Sequence, residues 1–311
     1  VPATDEVWRL QSGDDPESRA FQHFADHGHY RGKGGTRQGI YVCTASGELL
    51  ASANTLRADD VLKMLKDALE KFRGLPKSSR RVPDWTRTAT ARRWESQYPS
   101  GGLVLVSTNR DLPERLDAAQ RSKGRWNRDH VWFSDDEARR WLPPELRVGN
   151  TQRVAEQLVE RLARFHFVDN VRGQTIPYSP EQVRTSKLET EITAIDGDLI
   201  HLRITGSTRS VSDGAWTMGK TIWTPQKNPP HGVLTRVLGN AAYDSKRGAF
   251  VRFDLVAIGR RWGATENNGR RRDPKPGAIG FVLSLSPPTP AGRVAPAFVD
   301  LYNAAWIVKR N

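Results

Sequence analysis

One cysteine, Cys43, stands in a chain of 311 residues. A single thiol excludes an internal disulfide framework and any four-cysteine zinc site. No apolar run reaches the roughly 18 residues that a membrane-spanning helix needs. The chain also lacks a Gly-x-Ser-x-Gly elbow, so an α/β-hydrolase nucleophile has no support. Helix-turn-helix, zinc-finger and ribonucleoprotein-type aromatic signatures are missing too, which argues against a specific nucleic-acid reader. No repeat of fixed period occurs. What is present is a globular composition. Ten Trp, ten Phe and six Tyr need a core, which excludes disorder of the whole chain. At about 150 residues per domain the length points to two domains, with three as the alternative.

Acidic residues are the other shortage. Lys plus Arg number 48 against 35 Asp plus Glu, a formal charge of +13. Divided along the chain, the excess is uneven: residues 1–74 carry net −1, residues 75–185 net +6 and residues 186–311 net +8. Arginine supplies 36 of the 48 basic residues, in blocks such as Arg92-Arg93, Arg260-Arg261 and Arg270-Arg271-Arg272. Two readings are open, a patch that meets an anionic partner or solvated surface charge. The start at Val1-Pro2-Ala3, taken with the single cysteine, gives an expectation of export to the periplasm or beyond, with a trimmed chain as the alternative.

Punctuation divides the chain into 1–74, a linker at 75–100 and a larger unit at 101–311, with a soft sub-boundary near 185. Asp15 as N-cap and Pro16 at the first helical position predict a helix that Gly28 stops. Gly39–Thr44 and Glu48–Ser52 predict a hairpin around Ala45-Ser46-Gly47. Val61, Leu62, Leu65, Leu69 and Phe72 recur at helical spacing and predict an amphipathic helix over 58–73. Strand, glycine turn, strand and closing helix over residues 39–73 resemble the second half of a thioredoxin-like domain. The resemblance implies a small α/β unit. No Cys-x-x-Cys precedes the hairpin and no proline stands before its first strand, so the family's dithiol chemistry is not implied.

In the larger unit, Gly102–Thr108 reads as a buried strand. Ser134-Asp-Asp-Glu137 is a capping box opening a short helix. Val154, Leu158, Leu162 and Phe165 space a helix over 151–166, and Trp126, Trp132 and Trp141 are expected in the core. From about residue 186 the period becomes two. Leu188–Ile195 and Leu199–Gly206 flank an Asp-Gly turn, a hairpin signal. Further strands are expected at 248–258, 278–285 and 304–309. The fold class is therefore α+β: a thioredoxin-like α/β unit, then an antiparallel β-rich domain with packed helices, as a sandwich, an open barrel or a curved sheet around a helix.

Three of the seven histidines fall together, His23, His27 and His29. On a helix, His23 and His27 share one face a turn apart, and Cys43 follows on the next strand. Imidazole nitrogens with one thiolate suit copper or zinc, so these four residues form a candidate mononuclear site for redox chemistry or metal handling. The alternatives are no metal at all, a His27 stabilised by the helix C-terminus and a Cys43 acting as a small apolar residue. The Gly32–Thr36 loop lacks the order and the strand-to-helix context of a phosphate loop. Asp135 and Asp136 are explained by capping, and Asp169 is expected to pair with Arg172. The Trp262–Gly269 loop with Arg270–Arg272 is either a carbohydrate- or polyanion-binding loop or a solvated hairpin loop. The second functional expectation is accordingly a non-enzymatic binding or assembly module whose basic β-rich domain meets an anionic polymer or protein partner.

Overall fold

The computed structural model describes residues 7–14, 16–31, 36–55, 57–81, 98–112, 126–213, 230–265 and 267–299. The Asp15 cap, the Gly32–Gly35 stretch, residues 82–97 of the expected linker and the expected 304–309 strand lie outside the described residues. The chain divides into two compact units, residues 1–91 and 92–311. The whole is a mixed α+β protein dominated by one eight-stranded antiparallel sheet with a few short helices. Among the described residues no helix is long and apolar enough to cross a membrane.

In the first unit, α1 (Val7–Ser12) precedes α2 (Pro16–His27). The N–H of Gly28 returns to the Ala25 carbonyl and closes the last turn of α2. The hairpin of β1 (Ile40–Cys43) and β2 (Leu49–Ala53) turns on Gly47, whose φ of +91° excludes an ordinary side chain without strain. The Thr44 hydroxyl accepts from the Glu48 N–H and fixes that turn. Helix α3 (Ala58–Gly74) follows, with Asp59 and Asp60 in its first turn and Lys71 and Arg73 in its last, as the helix dipole favours. Its apolar stripe does not become core. Leu62, Leu65 and Leu69 stay 45–52% exposed and only Ala68 is buried.

The second unit is built on β3 (Leu103–Leu112), β4 (Trp126–Phe133), β5 (Thr151–Arg153), β6 (Val183–Asp196), β7 (Leu199–Ser212), β8 (His231–Asp244), β9 (Ala249–Trp262) and β10 (Gly277–Leu285). Their order across the sheet is β4-β3-β10-β9-β8-β7-β6-β5, and the end strands do not pair, so the sheet is open. Period two runs through β7 and through residues 233–241 of β8, and it sends one set of side chains inward. Gly197, at φ +57°, supplies the left-handed residue that the two-residue turn between β6 and β7 requires.

The inward set includes Leu105, Phe133, Ile192, Leu202, Ile204, Val233, Leu255 and Phe281. Against it pack Leu158 and Val159 of α5 (Glu156–Arg161), Leu162 of the π-helical turn Leu162–His166, and Phe167 and Val171 of the segment after that turn. Trp141 completes this core edge-on to Phe133 and Phe253, at ring-centroid distances of 5.7 and 5.3 Å. Trp132 is also fully buried, but on the other side of β4 with Val104 and Val299, while Trp126 stays 58% exposed. The helix expected over 151–166 is thus shorter than its spacing implies. Thr151–Arg153 pairs with Glu189–Glu191 as an edge strand, and the backbone coils only from Glu156.

A buried ion pair fastens the short α4 (Asp135–Arg139) to α5. The Ser134/Glu137 capping box is formed as expected, and Glu137 also receives both terminal nitrogens of Arg161, at 2.8 and 2.5 Å. Burial pushes the Glu137 carboxyl up, but the hydrogen bonds and charge of Arg161 outweigh it and hold the group below the usual carboxylate range. Leu158→Ala, which removes three carbons from a fully buried site, is expected to destabilise the sheet unit by about 2–5 kcal/mol in urea unfolding.

Candidate functional site

The His/Cys segment separates into two environments. His23 and His27 lie one helical turn apart with ring centroids at 4.2 Å, and Nδ1–H of His27 donates to the His23 carbonyl at 2.8 Å. In the neutral ring that bond places the lone pair on Nε2. His29 instead lies against Tyr41, centroids 5.0 Å apart, and its Nε2 sits 3.2 Å from the Gln38 carbonyl. His27 and His29 share the wall of a surface cavity of about 470 Å3, but Arg31 and Lys71 line it with them, a setting that repels a cation. Cys43 is half-buried, and burial pushes its thiol up to about 11, away from the thiolate that ligates metals. Among the described residues no three His, Cys, Asp or Glu side chains gather as a metal-ligating group.

The arginine-rich loop after Trp262 is not solvated throughout. Ala264, Thr265, Asn268 and Arg270 are buried, and the Asn268 side chain accepts from the N–H groups of Thr265 and Arg270. Arg270 is fully enclosed. It forks onto Asp169 with two bonds of 2.8 Å and onto Asp111 with bonds of 3.0 and 2.5 Å. Asp169 therefore pairs with Arg270, and the expected pairing with Arg172 is replaced. Arg172 reaches Asp111 and Asp273, both at 2.9 Å, and Arg261 also holds Asp273 at 2.9 Å. Gly173 permits the close approach of this loop, because a Cβ there would sit 2.0 Å from the Asn267 carbonyl oxygen.

Three arginines thus face three aspartates, each cation within reach of at least one carboxylate. Burial pushes the Asp111 carboxyl up, and the bonds and charges of Arg270 and Arg172 outweigh it, so the group stays below its ordinary value. The same balance raises Arg270, whose charge is locked on. The arrangement is a neutral clasp joining β3, the segment after the π turn and the β9–β10 connection. It offers no group poised to move a proton.

The outer face of the sheet is different. Register places residues in transverse rows, each residue directly beside its neighbour on the next strand. One row runs Glu189, Thr205, Leu238, Val256, Val282, Thr108, Arg128 from β6 to β4. The next runs Lys187, Ser207, Arg236, Ile258, Gly280, Arg110, Trp126, and a third Thr185, Arg209, Leu234, Arg260, Ala278, Leu112. The three rows carry six cations and a single carboxylate, Glu189, at their margin. Arg209, Arg236 and Arg260 are exposed, and among the described residues none of them has a carboxylate partner. A shallow cavity of about 420 Å3 lies between Leu234, Arg236, Ile258 and Arg260. Alternation within β7, β8 and β9 carries the signal for these residues, but only register aligns three strands into rows.

No family model, no curated protein and no solved structure matches the chain. The functional reading rests on the geometry alone.

Arg270→Met is expected to leave buried Asp169 with only Arg261, 3.9 Å away, and Asp111 with Arg172 alone, and to destabilise the sheet unit by about 3–5 kcal/mol near neutral pH, read by urea unfolding. The clasp's stability contribution from Asp111 is fully present above the unfolded carboxylate value, about 4, and is lost as pH falls through the lowered folded value. The gap between wild type and variant should therefore shrink as the pH is taken below about 4.

Proposed function

We propose that the sheet unit is a binding or assembly module that meets an anionic partner through its outer face. The observation that carries this reading is the row pattern, six cations against one carboxylate in three adjacent rows of the outer face, beside a next row in which Arg203 stands with Glu191 and Asp254. Arg209, Arg236 and Arg260, with no carboxylate partner among the described residues, raise the local potential and draw anions to that face. Other arginines are paired with acids, as in the Arg270 clasp and the Glu137–Arg161 pair. The partner is an anionic polymer or an acidic protein surface. Specific nucleic-acid reading is not part of the proposal, since Trp126 is the only aromatic side chain in the three rows.

The test is a salt series on immobilised heparin with wild type and two triple variants of equal net charge. Arg209→Glu/Arg236→Glu/Arg260→Glu is expected to abolish retention at about 0.15 M salt, while Arg153→Glu/Arg271→Glu/Arg272→Glu, on exposed arginines elsewhere, retains it. Equal loss in both variants would reduce the effect to generic charge attraction.

A second reading of the first unit is copper or zinc binding through the His23–His27 pair, against the Arg31 and Lys71 charges on the cavity wall beside His27. The order α2, β1, β2, α3 is compatible with a thioredoxin-like scaffold carrying it. Elemental analysis after copper or zinc supplementation is expected to find stoichiometric metal that His27→Ala removes and Cys43→Ala leaves in place. Metal-free wild type would end this reading.

A further inference from the structure

Among the cations of the outer face lies an aliphatic strip, bounded at one end by Asn240, Asp254 and Ser284. Leu238, Val256 and Val282 stand side by side on β8, β9 and β10, at 60, 41 and 48% exposure. Ile258 and Leu234 extend the strip into the next two rows, at 56 and 44%. Within those rows the apolar groups alternate with guanidinium groups: Leu234 lies between Arg209 and Arg260, and Ile258 lies beside Arg236. Strand spacing makes the strip about 10 Å wide across β8 to β10, and three rows make it about 14 Å long. An α-helix with its side chains is about 10–12 Å across.

We infer that this face docks an amphipathic helix of a partner protein, with aliphatic residues on its contact side and Asp or Glu along both margins. The inference rests on the anionic-partner reading and narrows it. A bare polyanion satisfies the arginines but leaves five aliphatic side chains in water. A second copy of this face sets six cations against six, which repel. An anionic bilayer would take the aliphatic groups only by drawing Arg209, Arg236 and Arg260 toward the hydrocarbon with them, because they stand in the same rows. A helix avoids that conflict. Its i, i+3, i+4, i+7 positions supply the apolar stripe, and the flanking positions place carboxylates over the guanidinium groups.

The test uses the full chain with four probes: a designed acidic amphipathic peptide of about 18 residues, a scrambled peptide of identical composition, heparin, and phosphatidylserine vesicles. Leu238→Ser/Ile258→Ser changes exposed side chains only, and circular dichroism checks that it folds. The amphipathic peptide is expected to bind wild type at least about tenfold more tightly than the scrambled one, and the Leu238→Ser/Ile258→Ser variant to lose at least about tenfold for that peptide while heparin retention is unchanged. The Arg209→Glu/Arg236→Glu/Arg260→Glu variant should lose both. Equal binding of the two peptides, no binding of either, or full affinity in the serine variant would overturn the helix proposal. So would vesicle binding that the serine variant abolishes, which would assign the strip to a membrane surface. Each of those results leaves the anionic reading standing. That reading fails separately, if the arginine variant keeps wild-type heparin retention.

Discussion

An antiparallel sheet has two faces, and the covering of one of them governs the rest of this protein's surface. The alternation of β7 and β8 sends leucines, isoleucines and valines against α5, the π turn and Phe167, and those elements seal the inner face. Sealing one face requires the intervening residues to face the other way. Among the described residues, the β3–β4 side of that outer face carries a further buried apolar cluster, Val104, Trp132 and Val299. Across β7 to β10 the outward positions are free of any duty to the core, and they hold the three unmatched arginines and the aliphatic strip.

The basic composition meets two fates in this architecture. Inside, arginine serves as a planar connector, and the buried guanidinium groups of Arg161, Arg261 and Arg270 are matched to carboxylates or backbone carbonyls. Arg261 donates to the Asp273 and Lys275 carbonyls as well as to the Asp273 carboxylate. Such matching keeps the desolvation of charge tolerable. Outside, Arg209, Arg236 and Arg260 have no carboxylate partner among the described residues. A net charge of +13 therefore says little until the pairing of each cation is known.

Local patterns carried the elements whose environment is itself local. The β6–β7 hairpin was legible because alternation and an Asp-Gly turn coincide, and the Ser134 capping box because both partners lie within one turn. Thr151–Arg153 was not, since its strand character comes from pairing with Glu189–Glu191 far along the chain. Asp169 has Arg172 three residues away, yet its partner is Arg270, brought up by the loop crossing that Gly173 allows. His29 obeys the same logic. His23 and His27 lie close to it in sequence, but its contacts include Tyr41, the Gln38 carbonyl and, through its N–H, the Ser52 hydroxyl.

The strand order has a consequence for how the chain is made. β10 lies between β3 and β9, so the β3–β4 pair has no place in the sheet until β10 has been synthesised. The clasp inherits the same delay, for Asp111 and Arg270 are 159 residues apart. During synthesis the β6–β9 meander can assemble in order, while Leu103, Leu105, Val131 and Phe133 wait with their apolar sides unclaimed. Closing so long a loop is slow, and unpaired strand edges in the interval favour aggregation. The protein is therefore most exposed to misassembly just before its last described strand arrives.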